Sequence, residues 1–182
     1  MFDIIQIIKK GGVVVMPTDT IYGICADALN KKSVERVYEI RKRNPDKPCI
    51  ILISKITDLK KFGISEKFIR TNGLTLNTYW PGKVSIILPC TSKKFTYLHR
   101  GTNSLAFRLP NKKSLNDILK KTGPLIAPSA NIEGLKPAES IDQAKKYFGD
   151  EVDLYIAGGR LLGKPSKLIR INENGRIEVL RK

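Results

Sequence analysis

Several chemistries are excluded by what this chain has little of. Histidine occurs once in 182 residues, as His99, so a Ser-His-Asp triad or a histidine-based metal site would rest on that residue alone. We read His99 as a surface or packing residue and not a catalytic one. The three cysteines, Cys25, Cys49 and Cys90, are far apart, odd in number and form no C-x-x-C pair. That pattern points to neither a disulfide framework nor a thiolate zinc site, and it fits a reducing cytoplasm. Apolar runs stop at four or five residues, and no basic stretch precedes an apolar one at the start. The expectation is a protein that is neither exported nor bound to a membrane. The Walker spacing G-x-x-x-x-G-K-[ST] is missing, Gly158, Gly159 and Gly163 lack the Rossmann spacing, and no pair of carboxylates stands out as an acid/base couple.

Acidic residues are also scarce beside basic ones: 17 Asp and Glu against 33 Lys and Arg, a formal charge of +16. Such a field attracts phosphate-rich partners, nucleotides or RNA. Lysine and isoleucine are abundant along the whole chain, however, so an A+T-rich genome accounts for the excess equally well.

What is present reads as one folded unit. The length suits a single domain, residues 1–182, and 41% hydrophobic with 27% charged residues is a globular composition. Ile4, Ile5, Ile7 and Ile8 give a helical pattern over 3–9 that stops at Gly11-Gly12, and Val13–Met16 then reads as a buried strand entering Pro17. Asn30 and Ser33 start a helix with Val34, Val37 and Tyr38 on its apolar side. Short strands are predicted at Cys49–Ile53, Val84–Leu88, Leu105–Leu109 and Leu125–Ala127, with helical patterns near 66–77, 113–121 and 140–147. A further strand at Leu154–Ile156 and a hairpin of Lys167–Asn172 with Arg176–Leu180, turning at Glu173-Asn174-Gly175, complete a mixed α/β (α+β) order.

Three polar segments sit at strand or helix ends, where ligand sites collect in α/β sheets. Pro17-Thr18-Asp19-Thr20-Ile21-Tyr22-Gly23 offers hydroxyls and a carboxylate, for a small polar ligand or simply for its own turn. Arg41-Lys42-Arg43-Asn44-Pro45-Asp46-Lys47 offers two guanidinium forks that face one anion if the backbone is extended. It is equally a solvated helix end, favoured there by the helix dipole. Ala127-Pro128-Ser129-Ala130-Asn131 combines small residues, which let a ligand approach the backbone, with one hydroxyl and one amide, or forms an ordinary Asx or Ser turn. Cations, hydroxyls and amides without a nucleophile suit a site that positions anions and neutralises developing charge.

In order, P-T-D-T-I-Y-G at 17–23, Arg41-Lys42-Arg43, Trp80-Pro81-Gly82, Ala106–Pro110 and Ser129–Asn131 resemble the motifs of the YrdC/TsaC family of threonylcarbamoyl-AMP synthases, from about Gly12 to about Arg170. The resemblance implies a twisted mixed-sheet domain with a basic concave surface, of the short form without an extra C-terminal domain. It implies synthesis of threonylcarbamoyl-adenylate and pyrophosphate from ATP, L-threonine and bicarbonate, with magnesium on the phosphates and no metal site of the protein's own. The product serves threonylcarbamoylation of tRNA at the adenosine 3′ of the anticodon, so tRNA is a partner directly or through other modification proteins. Carried over, Thr20, Arg108 and Ser166 contact threonine, while Arg41, Arg43, Ser129 and Asn131 contact ATP. Three positions depart from the family pattern: Arg41 replaces a lysine, Glu133 stands where many relatives have serine, and Lys167 where many have threonine. A non-enzymatic basic RNA- or tRNA-binding module is the alternative, and a carbamoyl-transfer domain of the hydrogenase-maturation type a third.

Overall fold

The computed structural model describes residues 2–172 and 175–182. The chain opens with helix α1 (Phe2–Lys9), ended by Gly11 at φ +88°, a left-handed conformation that glycine adopts without penalty. The strands β1 (Val14–Pro17) and β2 (Tyr22–Asp27) follow. Helix α2 (Lys31–Ile40) starts at Asn30, whose side chain accepts the Ser33 backbone N–H as an N-cap. After it come β3 (Ile50–Leu52), a 3-10 segment over Ile56–Phe62, α3 (Glu66–Thr71), α4 (Gly73–Tyr79) and β4 (Val84–Pro89). The remainder runs α5 (Thr96–His99), β5 (Ser104–Arg108), α6 (Lys113–Thr122), β6 (Leu125–Ile126), α7 (Ile141–Phe148), β7 (Leu154–Tyr155), β8 (Lys167–Ile171) and β9 (Ile177–Arg181).

Among the described residues the strands form one nine-stranded mixed sheet in the order β7-β1-β2-β6-β3-β5-β4-β8-β9. Three pairs are parallel (β1 with β7, β3 with β5, β4 with β8) and the other five antiparallel, three of these in a row from β1 to β3. Strand residues alternate between the two faces. One face carries Val15, Ile24, Ile51, Phe107, Ile86 and Ile169 and packs beneath α2, α4, α5 and α7 into the larger core. The opposite face carries Val14, Met16, Cys25 and Leu52 and is covered by Ile4 and Ile8 of α1 and by Leu115, Ile118 and Leu119 of α6. That second cover extends over β1, β2, β6 and β3. Across β5, β4 and β8 the same face is left open, and there the site lies.

Two features depart from the expected elements. Residues 22–27 form a strand, where none was predicted, that pairs with β1 from Val14↔Cys25 to Pro17↔Tyr22, so residues 18–21 of the polar stretch are the turn of a hairpin. The helical pattern near 66–77 is two helices hinged at Asn72, which is the C-cap of one and the N-cap of the next. The predicted turn at Glu173-Asn174 lies outside the described residues, and the strands on either side pair antiparallel through Ile171↔Ile177. No helix of the described residues is long and apolar enough to cross a membrane.

Candidate active site

The floor of the site follows from the sheet register. Ile50 pairs with Ala106, Ala106 with Ile87, and Ile87 with Arg170, so these four side chains form a row across four strands that runs from the edge of the covered area at β3 onto the open face. All four line a cavity of about 480 Å3. Its walls come from the β1–β2 turn (Thr18, Thr20), the loop after α2 (Arg43, Lys47), the segment after β6 (Pro128, Ser129) and the approach to β8 (Pro165, Ser166). Among the described lining residues, Arg43, Lys47, Arg108, Arg170 and Arg181 are cationic and Asp46 is the one carboxylate. A concave site with that balance favours anions, since its potentials are focused by the surrounding low-dielectric protein.

At one end, the β1–β2 turn is held by Thr18. Its hydroxyl donates to the Ile21 carbonyl at 2.7 Å and accepts from the backbone N–H of Thr20 at 3.2 Å. Thr18 Oγ1 also lies 3.1 Å from Thr20 Oγ1 and, at 3.5 Å, accepts weakly from Nη2 of Arg108, the last residue of β5. Arg108 is only 4% exposed, and Asp19 lies 3.0 Å from its Nη2. Burial lowers the Arg108 pKa, and the Asp19 carboxylate opposes that shift. Ser166 shares a 2.8 Å hydrogen bond with Ser85 of β4, and its carbonyl accepts from Nε and Nη2 of Arg181 at 3.0 and 2.8 Å. Burial pushes the Cys25 thiol up to about 12 even though the nearby Arg108 charge favours the thiolate, so it is an inert core residue.

The other end is built on α2 and the segment after β6. That segment runs alongside β2: Ile24 donates to the Pro128 carbonyl, Ala130 to that of Tyr22, and Gly23 bridges Ser129. Arg41 is 1% exposed. Its Nε donates to the Asn131 carbonyl at 3.0 Å, and its Nη2 donates to Asn131 Oδ1 at 3.2 Å and, more weakly, to Ser129 Oγ at 3.4 Å. Burial, helped by Arg43, lowers its pKa to about 10. Asn131 is itself buried and turns its amide to the carbonyls of Ile132 and Leu135.

The structure therefore brings Thr20, Arg43, Arg108, Ser129 and Ser166 onto one cavity, while Arg41 and Asn131 stand behind it as the brace of the Ser129 segment. Neither reading of this segment, two forks on extended backbone or a solvated helix end, holds for Arg41. Lys42 takes a left-handed turn at φ +47°, and Arg41 points into the protein because residues 129–131 offer it acceptors. Thr102, Ser104, Arg170 and Arg181 line the cavity although no candidate segment contained them, and Lys47 joins them from the segment after α2. For Arg170 a signal was present, since an arginine two residues from Leu168 on a predicted strand shares that residue's face. His99 is buried in α5, its Nδ1 accepting the Gly101 N–H.

A mixed-sheet domain with a cationic cavity on the open part of one face belongs to the class of proteins that bind anionic ligands. The family model Sua5/YciO/YrdC, described as telomere recombination, matches residues 6–182, and the chain belongs to that family. A protein of Marinobacter nauticus named threonylcarbamoyl-AMP synthase is 31% identical over 171 residues, covering 91% of this chain and 88% of that one. The structure of Pyrococcus abyssi Sua5 complexed with L-threonine superposes with a TM-score of 0.87 at 27% identity, covering 98% of this chain and 52% of that one. The chain thus spans about half the length of that archaeal relative. Escherichia coli YciO shares the fold with a TM-score of 0.82 over 99% of this chain and 87% of its own, at 24% identity.

Proposed function

We propose that this protein is a threonylcarbamoyl-AMP synthase, which condenses L-threonine, bicarbonate and ATP into threonylcarbamoyl-adenylate and pyrophosphate. The observation that carries the reading is a single cavity joining Thr20, Arg108 and Ser166 at one end to Arg43 and Ser129 at the other. It is supported by the name shared with the Marinobacter relative and by the threonine complex of the Pyrococcus one. These findings favour the enzyme over a non-enzymatic RNA-binding module.

The chemistry asks two anions to meet. The threonine amine first attacks the bicarbonate carbon; an N–C bond forms, one C–O bond of bicarbonate breaks, and water leaves to give the carbamate. A carbamate oxygen then attacks the α-phosphorus of ATP, and the bond to the β-phosphate oxygen breaks to release pyrophosphate. In this reading Arg108 and the Thr20 and Ser166 hydroxyls hold threonine, with Asp19 keeping the buried guanidinium in place. Arg43 and Ser129 hold ATP, and Arg41 with Asn131 keeps Ser129 in position. Pre-placed cations oppose the repulsion without reorganising as the reaction proceeds. Among the described residues no group of three or more His, Cys, Asp or Glu side chains is placed to hold a metal. Magnesium is expected to arrive on the triphosphate, as part of the substrate. The product suits transfer to tRNA, directly or through partner proteins, within the cytoplasm.

Purified protein given Mg-ATP, L-threonine and bicarbonate is expected to release pyrophosphate at a rate that collapses when threonine is omitted or replaced by L-serine. Release that is indifferent to threonine would overturn the assignment.

A further inference from the structure

Glu133 lies outside every motif that builds the cavity, yet it touches more cationic groups than any residue near it. Its backbone N–H donates to the Arg41 carbonyl at 2.9 Å, which fixes where its side chain begins. From there one carboxylate meets three cations. Oε1 is 2.7 Å from Lys47 Nζ, and Oε2 is 3.4 Å from Arg43 Nη1 and 3.9 Å from Arg41 Nη1. The Lys47 hydrogen bond, with Arg43 and Arg41 behind it, holds the Glu133 carboxyl below the usual carboxylate range.

The three cations depend on Glu133 to different degrees. Arg41 is held by Asn131 and Ser129. Arg43 keeps its place through Nε and Nη2, which donate to the carbonyls of Lys47 and Pro48 at 3.1 and 3.0 Å. Lys47 is a 59% exposed side chain whose ammonium is turned to Glu133. Arg43 and Lys47 line the cavity, whereas Glu133 does not. Part of the positive charge facing the cavity is therefore spent on a carboxylate of the protein's own.

We propose that Glu133 is an internal counter-ion that competes with the phosphates of the nucleotide: it holds Lys47 in the empty protein and releases it when a triphosphate enters. The inference rests on the nucleotide reading above and deepens it, because it makes Glu133 a determinant of how tightly this chain takes ATP. Removing the carboxylate frees Lys47 and removes a like charge from beside the phosphates, while the backbone carbonyls still hold Arg43. The threonine end, built around Arg108, is untouched.

The test is calorimetric titration of a nonhydrolysable α,β-methylene ATP analogue, and separately of L-threonine, into the wild type, Glu133→Gln and Glu133→Asp. Glu133→Ser serves as a second neutral variant should the glutamine protein fold poorly. The neutral variants are expected to bind the analogue about three- to fivefold more tightly at low ionic strength, the size of a partly exposed ion pair. That gain shrinks as salt is raised. Glu133→Asp, which keeps the charge, is expected to bind no more tightly than wild type, and threonine affinity is expected to stay constant throughout. Equal or weaker analogue binding by the neutral variants overturns the proposal and leaves the synthase reading standing. If none of the proteins binds the analogue, the synthase reading falls and the proposal with it.

Discussion

The two halves of the sheet differ in one respect. Over β1, β2, β6 and β3 both faces are covered, and alternate residues such as Val14 and Val15 enter different cores. Over β5, β4 and β8 one face is covered, and its other side carries Arg108, Ala106, Ile87 and Arg170. The same periodicity thus serves stability in one half and ligand contact in the other, and the difference is made by where α1 and α6 stop. Substitutions in the covered half are expected to act on folding alone, and those in the open half on binding.

Arg108 is where that separation breaks down, and it carries the largest expected effect. Arg108→Ala leaves Asp19 buried without its cation, at a cost of roughly 3–5 kcal/mol. Threonine-dependent pyrophosphate release is expected to disappear as well, so denaturant unfolding and the turnover assay should fall together. Leu119→Ala, in the helix over the covered half, is expected to cost about 2–5 kcal/mol of stability through a cavity. Turnover per folded molecule should stay at the wild-type level, and a loss of specific activity would erase the contrast. Arg43→Ala is the mirror case, with turnover down about a hundredfold, the scale of losing one charge-stabilising donor. The same urea titration should shift little, since Arg43 serves the loop and not the core. Ser166→Ala is expected to weaken L-threonine binding about fivefold, the worth of one hydrogen bond, as read by calorimetry.

The smallest effect tests the covered face by pH. Burial alone would raise the Asp58 pKa, but Lys61 and the hydroxyl and N–H of Ser54 outweigh it and hold the carboxyl below its ordinary value. A lowered folded pKa stabilises above the unfolded value and is lost as pH falls through the folded one. The stability gap between wild type and Asp58→Asn should therefore be full at neutral pH and close as the solution is acidified below the carboxylate range. A gap independent of pH would mean that shape, not charge, is what Asp58 contributes.

Most of the sheet was legible because its strands are short apolar runs set off by proline and glycine, as at Val13–Met16 and Val84–Leu88. The strand at Tyr22–Asp27 was hidden because its first residues belong to a motif read as polar loop, and Gly23 and Ala26 lend it little apolar signal. Burial of Arg41 was not legible, since the acceptors that draw it inward lie some 90 residues away at Ser129 and Asn131. Thr20, Arg108 and Ser166 were found through resemblance. Their convergence depends on contacts distant in sequence, such as that of Arg108 with Asp19 of the β1–β2 turn, which no local pattern states.

The stretch between β7 and β8 crosses the β1–β2 hairpin at very close range. A Cβ on Gly163 would run into the Thr20 carbonyl oxygen, and one on Gly158 would sit 2.5 Å from the Pro17 ring. The Tyr22 hydroxyl ties the crossing down by donating to the Gly159 carbonyl and accepting the Gly158 N–H, both at 2.8 Å. In a saturation library Gly158 and Gly163 would register as intolerant as the substrate-facing residues, although the cavity is not lined by either. Such a profile would mark a crossing of backbones and would be misread as a second active-site motif.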